Sequence, residues 1–402
     1  MANNNKHTGP NVPALRFPEF SGEWEQCKLR SIGYAYNGLS GKSGSDFGVG
    51  APFITYKSVF DNSKIDIRRT GLVTITEQER LKHSQNIVRK GDAFFTISSE
   101  TPEEVGMSSV LLDDIDDCYL NSFCFGYRPT SHSVTSDYLR YYLRSPKLRK
   151  KIMILAQGST RFNISKDEVL NLTVSLPSLD EQNKIARTLD LIEERIETQI
   201  KIIEELKNLR GALNESLYCC CESYQELSFN DVGVSYSGLS GKSGNDFGSG
   251  YPFIPYTNIF TNNIIDEGQL EYVQVREEES QNIVCFGDLL MTLSSETPEE
   301  VGIGAVYLGH KSPLYLNSFA FGIHITRTDL VYPPYLSWIV STKSFRKFIL
   351  PYAQGSTRYN LQKTDFMKAK YRFPTLGRQK AISVLLSGYS SKIENEERVL
   401  NT

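Results

Sequence analysis

A chain of 402 residues, 40% hydrophobic and 23% charged, has the composition of an ordinary globular protein and the length for two cores or more. Its opening, MANNNKHTGP, lacks a signal-peptide pattern and no run approaches about 18 apolar residues, so a spanning helix is excluded and the cytoplasm is expected. A net charge of −3 argues against a polyanionic partner, unless the charges are unevenly placed.

Residues 1–14 are polar and read as a disordered tail. From Leu15 an entry segment, LRFPEFSGEWEQCKL, carries Phe17, Phe20 and Trp24 to dock on a core. GLSGKSGSDFGVGAPFI follows at 38–54 and returns at 238–254 as GLSGKSGNDFGSGYPFI, identical at 14 of 17 positions. SSETPEEVG at 98–106 and 294–302, YLNSF at 119–123 and 315–319, and AQGSTR at 156–161 and 353–358 recur in the same order. The chain is therefore a tandem duplication of a unit near 200 residues, too long for a solenoid repeat and long enough for a domain.

Within each copy the β-branched runs ITYKSVF, LVTITE and FFTIS read as strands. Tyr138 to Leu155 has helical spacing, with Pro146 as a break or a new start. Each copy is a mixed α/β globule, expected over 15–178 and 223–375. Between Tyr138 and Lys166 stand eight Lys/Arg and no acid, Arg140, Arg144 and Lys147 among them. The matching stretch 330–364 has five, including Lys343 and Arg346. A basic stripe is often only a solvated helix face, but its recurrence in both copies favours a polyanion contact.

The segment 179–222 is the clearest helix. Ile185, Leu189, Ile192, Ile196, Ile200, Ile203, Leu206 and Leu209 step by threes and fours, continue through Leu213 and Leu217, and have Asp180 as a candidate cap. About 33 residues make a rod of roughly 50 Å, whose narrow seam needs a second helix. The segment 376–402 offers one, shorter, with Ile382, Leu385, Leu386 and Ile393. Antiparallel pairing of the two predicts a dumbbell with a globule at each end.

The motifs divide between structure and binding. GKS at 41–43 fails the phosphate-loop pattern because Tyr36 and Tyr236 stand where the first glycine is needed. A Gly-rich loop bringing Lys42, Ser43, Lys242 and Ser243 to phosphate remains, beside a plain tight turn. YPPY at 332–335 lacks the Asn or Asp that amino-methyltransferases use to hold an amine. In SSETPEEVG, Thr101 with Glu104 and Thr297 with Glu300 fit a capping box, while Ser99, Glu100, Ser295 and Glu296 could face base edges. Gly158 and Gly355 look like helix caps, after which Ser159, Thr160, Arg161, Ser356, Thr357 and Arg358 offer donors to phosphate or guanine. Asn121 and Asn317 are either buried strand polars or base readers. Neither the seven cysteines nor the five histidines show metal-ligand spacing, and no catalytic constellation repeats in both halves.

The entry segment, two α/β regions each closed by QGST-R-x-N, then L/F-P…Q and a long helix, resemble the specificity subunit of a type I restriction–modification system over essentially the whole chain. The resemblance implies a target recognition domain in each globule, reading half of a split site in double-stranded DNA. It implies that the helices form an antiparallel coiled coil docking two methyltransferase subunits, with restriction subunits joining the full complex. S-adenosylmethionine, ATP and Mg belong to those partners, so this chain is expected to be non-catalytic and to hold no cofactor or metal. The close likeness of the two copies implies related half-sites, arranged by a pseudo-twofold as a partly palindromic target. A duplicated protein–protein scaffold is the alternative.

Overall fold

The computed structural model describes residues 11–401. Of the tail expected over 1–14, residues 1–10 lie outside that range, and Asn11 accepts a backbone hydrogen bond from Trp24 at 3.1 Å. The chain divides into two compact units, 1–195 and 196–402, with the boundary inside the long helix Leu179–Cys219.

Each unit is built on a four-stranded antiparallel sheet. In the first the order is Gly33–Asn37, Cys124–Pro129, Ala93–Thr96, Ser108–Val110. In the second it is Gly233–Ser237, Ala320–Ile325, Leu289–Thr292, Gly304–Val306. The strands AFFT and LLMT are buried at every residue, so they read as continuous apolar runs without alternation. Successive side chains still leave on opposite faces. Phe95 stacks on Phe125 at 5.0 Å in a cluster with Leu139, Leu143 and Ile152. Phe94 joins Ile54, Val59 and Leu111 on the other face. Each such ring contributes about 1.5–3 kcal/mol by burial, and filling both faces fixes the sheet between two layers.

A second, three-stranded sheet carries the Gly-rich block: Gly71–Val73, Phe47–Ile54 and Tyr119–Leu120, matched by Glu271–Val273, Phe247–Ile254 and Tyr315–Leu316. The run ITYKSVF, expected as a strand, instead ends one strand and starts the helix Tyr56–Asp61. The Thr55 hydroxyl accepts the Ser58 N–H and so caps that helix. The basic stripe forms two helices, Ser136–Arg144 and Pro146–Ile154, with Pro146 at the first helical position of the second. Gly158 and Gly355 do not cap helices. They have φ +135° and +150° in hairpin turns, where a Cβ would stand 2.1 Å from the carbonyl oxygens of Arg161 and Arg358.

Each unit closes on itself. Its entry strand Glu25–Lys28 pairs with its exit strand Thr173–Leu176, and Tyr224–Ser228 pairs with Lys370–Pro374 in the second. A buried Arg16–Glu181 ion pair at 2.7 Å, with the Trp24 indole donating to the same carboxylate, ties the entry segment to the long helix in the first unit.

The long helix runs 41 residues, not 33, because it begins before Ile185 and continues past Leu217, the ends of the apolar steps. Ser178 caps it, accepting the Glu181 N–H at 3.4 Å, while Asp180 sits inside the first turn with its charge toward the positive end of the dipole. Within the second unit this helix pairs antiparallel with Leu376–Leu400: Gln199 donates to Glu396 and Arg210 to Ser390, so one sequence rises as the other falls. The seam on the long helix is Gln199, Ile203, Leu206, Arg210, Leu213 and Leu217, stepping by four and three throughout. Of the expected seam, Ile203, Ile382, Leu386 and Ile393 are buried, and Ile185, Leu189 and Leu206 are half-buried. Ile192, Ile196, Ile200, Leu209 and Leu385 are exposed and form no part of it. Two seam positions are polar and hydrogen-bonded, which is why counting apolar residues alone picked a neighbouring stripe.

Candidate nucleic-acid interface

In each unit the four repeated blocks become one hydrogen-bonded strip. Leu39 of the Gly-rich block donates to Leu120 of YLNSF at 2.7 Å, and Phe123 at the end of that block accepts from Ile97 at 2.9 Å. Ile97 in turn accepts from Ile164, just beyond the AQGSTR hairpin, at 3.0 Å. Ser98–Ser99 pairs with Phe162–Asn163, so SSETPEEVG and AQGSTR lie edge to edge. The second unit repeats this through Leu239, Leu316, Phe319, Leu293 and Leu361, and Ser294–Ser295 pairs with Tyr359–Leu361. The repeated segments are spread along the sequence because strand pairing is what gathers them.

Many of the candidate residues hold this strip together and do not face outward. Lys42 and Lys242 are corrected from phosphate ligands to internal ion pairs: each ammonium is nearly buried against Glu79 or Glu279. Ser43 and Ser243 are exposed, but their hydroxyls donate to Asp46 and Asp246 and cap a short turn. The Asn121 and Asn317 side chains accept the N–H of Phe123 and Phe319, both at 2.7 Å, and so act as turn formers. Ser99 and Ser295 are buried and donate to Glu104 and Glu300. That bond replaces the expected capping box, since only a three-residue turn follows Thr297 and its side chain caps nothing.

Three arginines of the basic stripes are also corrected. Arg140 is 7% exposed and held by Asp190 and Glu193 of the long helix. Arg144 donates to the carbonyls of Val59, Phe60, Asn62 and Ser108, and burial pushes its guanidinium down to about 10. Arg346 ties down the carbonyls of Glu299, Val301 and Gly302, as Arg149 does for the same loop in the first unit. A guanidinium presents several donors in a fixed fork, so it can gather a loop's carbonyls where a lysine could not.

What remains exposed is compact. Glu100, Ser159, Thr160 and Arg161 in one unit, and Glu296, Ser356, Thr357 and Arg358 in the other, ring the hairpin and the strand end. The Arg161 and Arg358 side chains have no hydrogen bond or ion pair among the described residues, and lie near Tyr56 and Tyr256. Lys147 and Lys343 are exposed on the neighbouring helices. The sequence reading missed Phe123 and Phe319, 59% and 56% exposed in the middle of the strip. An aromatic repeated beside a turn-forming Asn was the available signal. In the second unit Phe319, Glu296 and Arg358 line a cleft of about 300 Å³ floored by Tyr256, Phe260, Ser294 and Ser295. Its lining offers a cation, an anion, hydroxyls and an aromatic face, the set that phosphates, base edges and base planes require.

The family model of the type I restriction modification DNA specificity domain matches residues 22–208, which span the whole first strip and much of the long helix. Over these residues the chain is similar to the type I restriction–modification DNA specificity domain. A chain of Methanocaldococcus jannaschii described as a putative type I restriction enzyme MjaX specificity subunit is 28% identical over 211 residues, 52% of this chain and 48% of that one. The EcoKI specificity subunit of Escherichia coli K12 is 25% identical over 309 residues, 72% of this chain and 64% of that one. The alignments thus span about half to two thirds of these relatives' lengths. A chain in a structure addressing complex assembly and conformational transition of the type I R-M system has a TM-score of 0.60. It covers 97% of this chain and 94% of its own, at 14% identity, a likeness of fold. The likeness of fold therefore extends through the second unit, which repeats the first block by block. Among the described residues no helix is long and apolar enough to cross a membrane.

Proposed function

We propose that the protein is the DNA sequence-recognition subunit of a type I restriction–modification complex, each unit reading one half of a bipartite, interrupted site in double-stranded DNA. The observation that supports this most is the convergence, twice over, of separated sequence blocks into one exposed cluster around Arg161 and Arg358. Arg161 and Arg358 reach phosphate or guanine, Glu100 and Glu296 take a cytosine amine, and Phe123 and Phe319 lie against base planes or sugar. Lys147 and Lys343 add sequence-independent attraction. The helices scaffold two methyltransferase subunits. Methyl transfer from S-adenosylmethionine and ATP- and Mg-dependent cleavage reside in the partner subunits.

Because the exposed clusters of the two units have the same residue types, the two half-sites share sequence. Co-expression with the neighbouring methyltransferase gene, followed by mapping of methylated bases in host DNA, tests both statements. A split motif with a fixed gap and related halves is expected. No methylation from a stable complex would overturn the recognition reading, and unrelated halves would overturn the shared-half-site reading.

A further inference from the structure

Each unit buries one aspartate in the same surroundings, and the two units differ in the group that faces it. Asp92 and Asp288 are 1% and 2% exposed. Each accepts a tyrosine hydroxyl, from Tyr36 at 2.6 Å and from Tyr236 at 2.7 Å. Each also accepts a backbone N–H three residues upstream, from Arg89 at 2.9 Å and Cys285 at 2.8 Å. In the first unit the buried charge is balanced by Arg128, whose guanidinium bonds both carboxylate oxygens at 2.7 and 2.6 Å. In the second unit the equivalent residue is His324, with Nδ1 2.8 Å from the Asp288 carboxylate. Cys285 stands where the first unit has Arg89. The second repeat has thus exchanged a permanent cation for an imidazole and has gained a thiol beside it.

The ligating atoms of Cys285, Asp288 and His324 lie within 4.8 Å of one another. Cys285 is exposed at the rim and Asp288 is buried at the base, which gives an entry path and a fixed anchor. The Tyr236 ring stacks on the imidazole at 4.2 Å and orients it. Thiolate sulfur, imidazole nitrogen and carboxylate oxygen are the donors that Zn²⁺ prefers, at about 2.0–2.3 Å, and three such ligands leave one position for water. A divalent ion there supplies the positive charge that Arg128 supplies in the first unit. We propose that Cys285, Asp288 and His324 form a metal site for Zn²⁺ or a similar borderline transition-metal ion, present in the second unit alone. No spacing rule reveals it, because 285–288 and 324 meet only through pairing of the strands Leu289–Thr292 and Ala320–Ile325.

The segment the ion would fasten also supports the Gly-rich block: Gln281 bonds the backbone of Ser240 at 3.1 and 2.9 Å, and Lys242 is paired with Glu279. The metal therefore stiffens the base of one recognition surface and leaves the other to Arg128.

The test uses the full chain with Cys219, Cys220 and Cys221 changed to serine, so that these accessible thiols do not compete. Titration with Co²⁺ is expected to saturate at one ion per chain, with tetrahedral d–d bands and a sulfur-to-cobalt charge-transfer band that Zn²⁺ bleaches. Cys285→Ser should remove the charge-transfer band. His324→Arg, which copies the first repeat, should abolish binding while keeping the thermal midpoint. Absence of saturable one-to-one binding would overturn the proposal, as would a charge-transfer band that survives Cys285→Ser.

Discussion

Gln182 and Gln379 make the same three hydrogen bonds, one in each unit. The side-chain amide of Gln182 donates to Ser133 and Pro177 and its oxygen accepts the Thr135 N–H at 2.9 Å. Gln379 donates to Leu330 and Pro374 and accepts from Tyr332 at 2.8 Å. Both are fully buried at the start of a long helix, where one amide satisfies backbone groups from the loop before the basic helices and from the exit strand. They are the joints between globule and helix. Gln182→Leu leaves three backbone groups unpaired and is expected to cost the first unit about 2–4 kcal/mol in urea unfolding, with Gln379→Leu doing the same to the second. No change in either midpoint would refute the assignment.

The entry segment stabilises the first unit only. Glu181 is buried and paired with Arg16, whereas the corresponding position in the second copy is the exposed Arg378. Arg16→Met strands a buried carboxylate and should cost about 3–5 kcal/mol, a penalty confined to the first of two resolved transitions. Removing both partners with Arg16→Met and Glu181→Gln should recover most of it.

Glu79 is held down to about 2, first by the direct hydrogen bond from Lys42 and then by the backbone N–H and hydroxyl of Thr76, which donate to the same carboxylate. A carboxylate depressed in the folded state contributes stability that is present above its ordinary value of 4.5 and lost as pH falls toward about 2. Lys42→Met should move the Glu79 titration upward, read from its side-chain carbonyl in NMR, and bring acid unfolding of the first unit to a higher pH. DNA affinity at neutral pH should change far less than with Arg161→Ala.

Arg161→Ala and Arg358→Ala remove side chains that bear no structural bond among the described residues, so thermal midpoints should stay within about 1 °C of wild type. If either arginine contacts phosphate, the slope of log affinity against log salt falls by about one. If it reads guanine, affinity for the cognate site drops by about 1–3 kcal/mol and discrimination at one base pair is lost. Filter binding across salt on cognate and shuffled duplexes separates the two.

The duplication, the α/β character of each copy and the presence of the long helix were legible because they rest on text similarity and strong periodicity. Side-chain direction was not. Arg144 and Arg161 look alike in the sequence, both in a basic stripe, yet one gathers four carbonyls beneath the sheet and the other stands on a hairpin tip. What separates them is the tertiary neighbour, and a pattern of charges carries no information about that. Gln199 and Arg210 show the same limit from the other side, since a seam that spends polar residues on hydrogen bonds is invisible to a count of apolar ones.

Pairing of entry and exit strands, Glu25 opposite Leu176 and Tyr224 opposite Pro374, brings the two ends of each unit to neighbouring positions on one short ladder. A segment whose ends meet can be lifted out and replaced as a cassette, because its points of entry and exit stay adjacent whatever lies between them. Two crossovers, one in each strand of the ladder, exchange everything between the same two points of attachment. The ladder is thus a natural boundary for exchange, since a whole unit can be replaced there while its core stays intact.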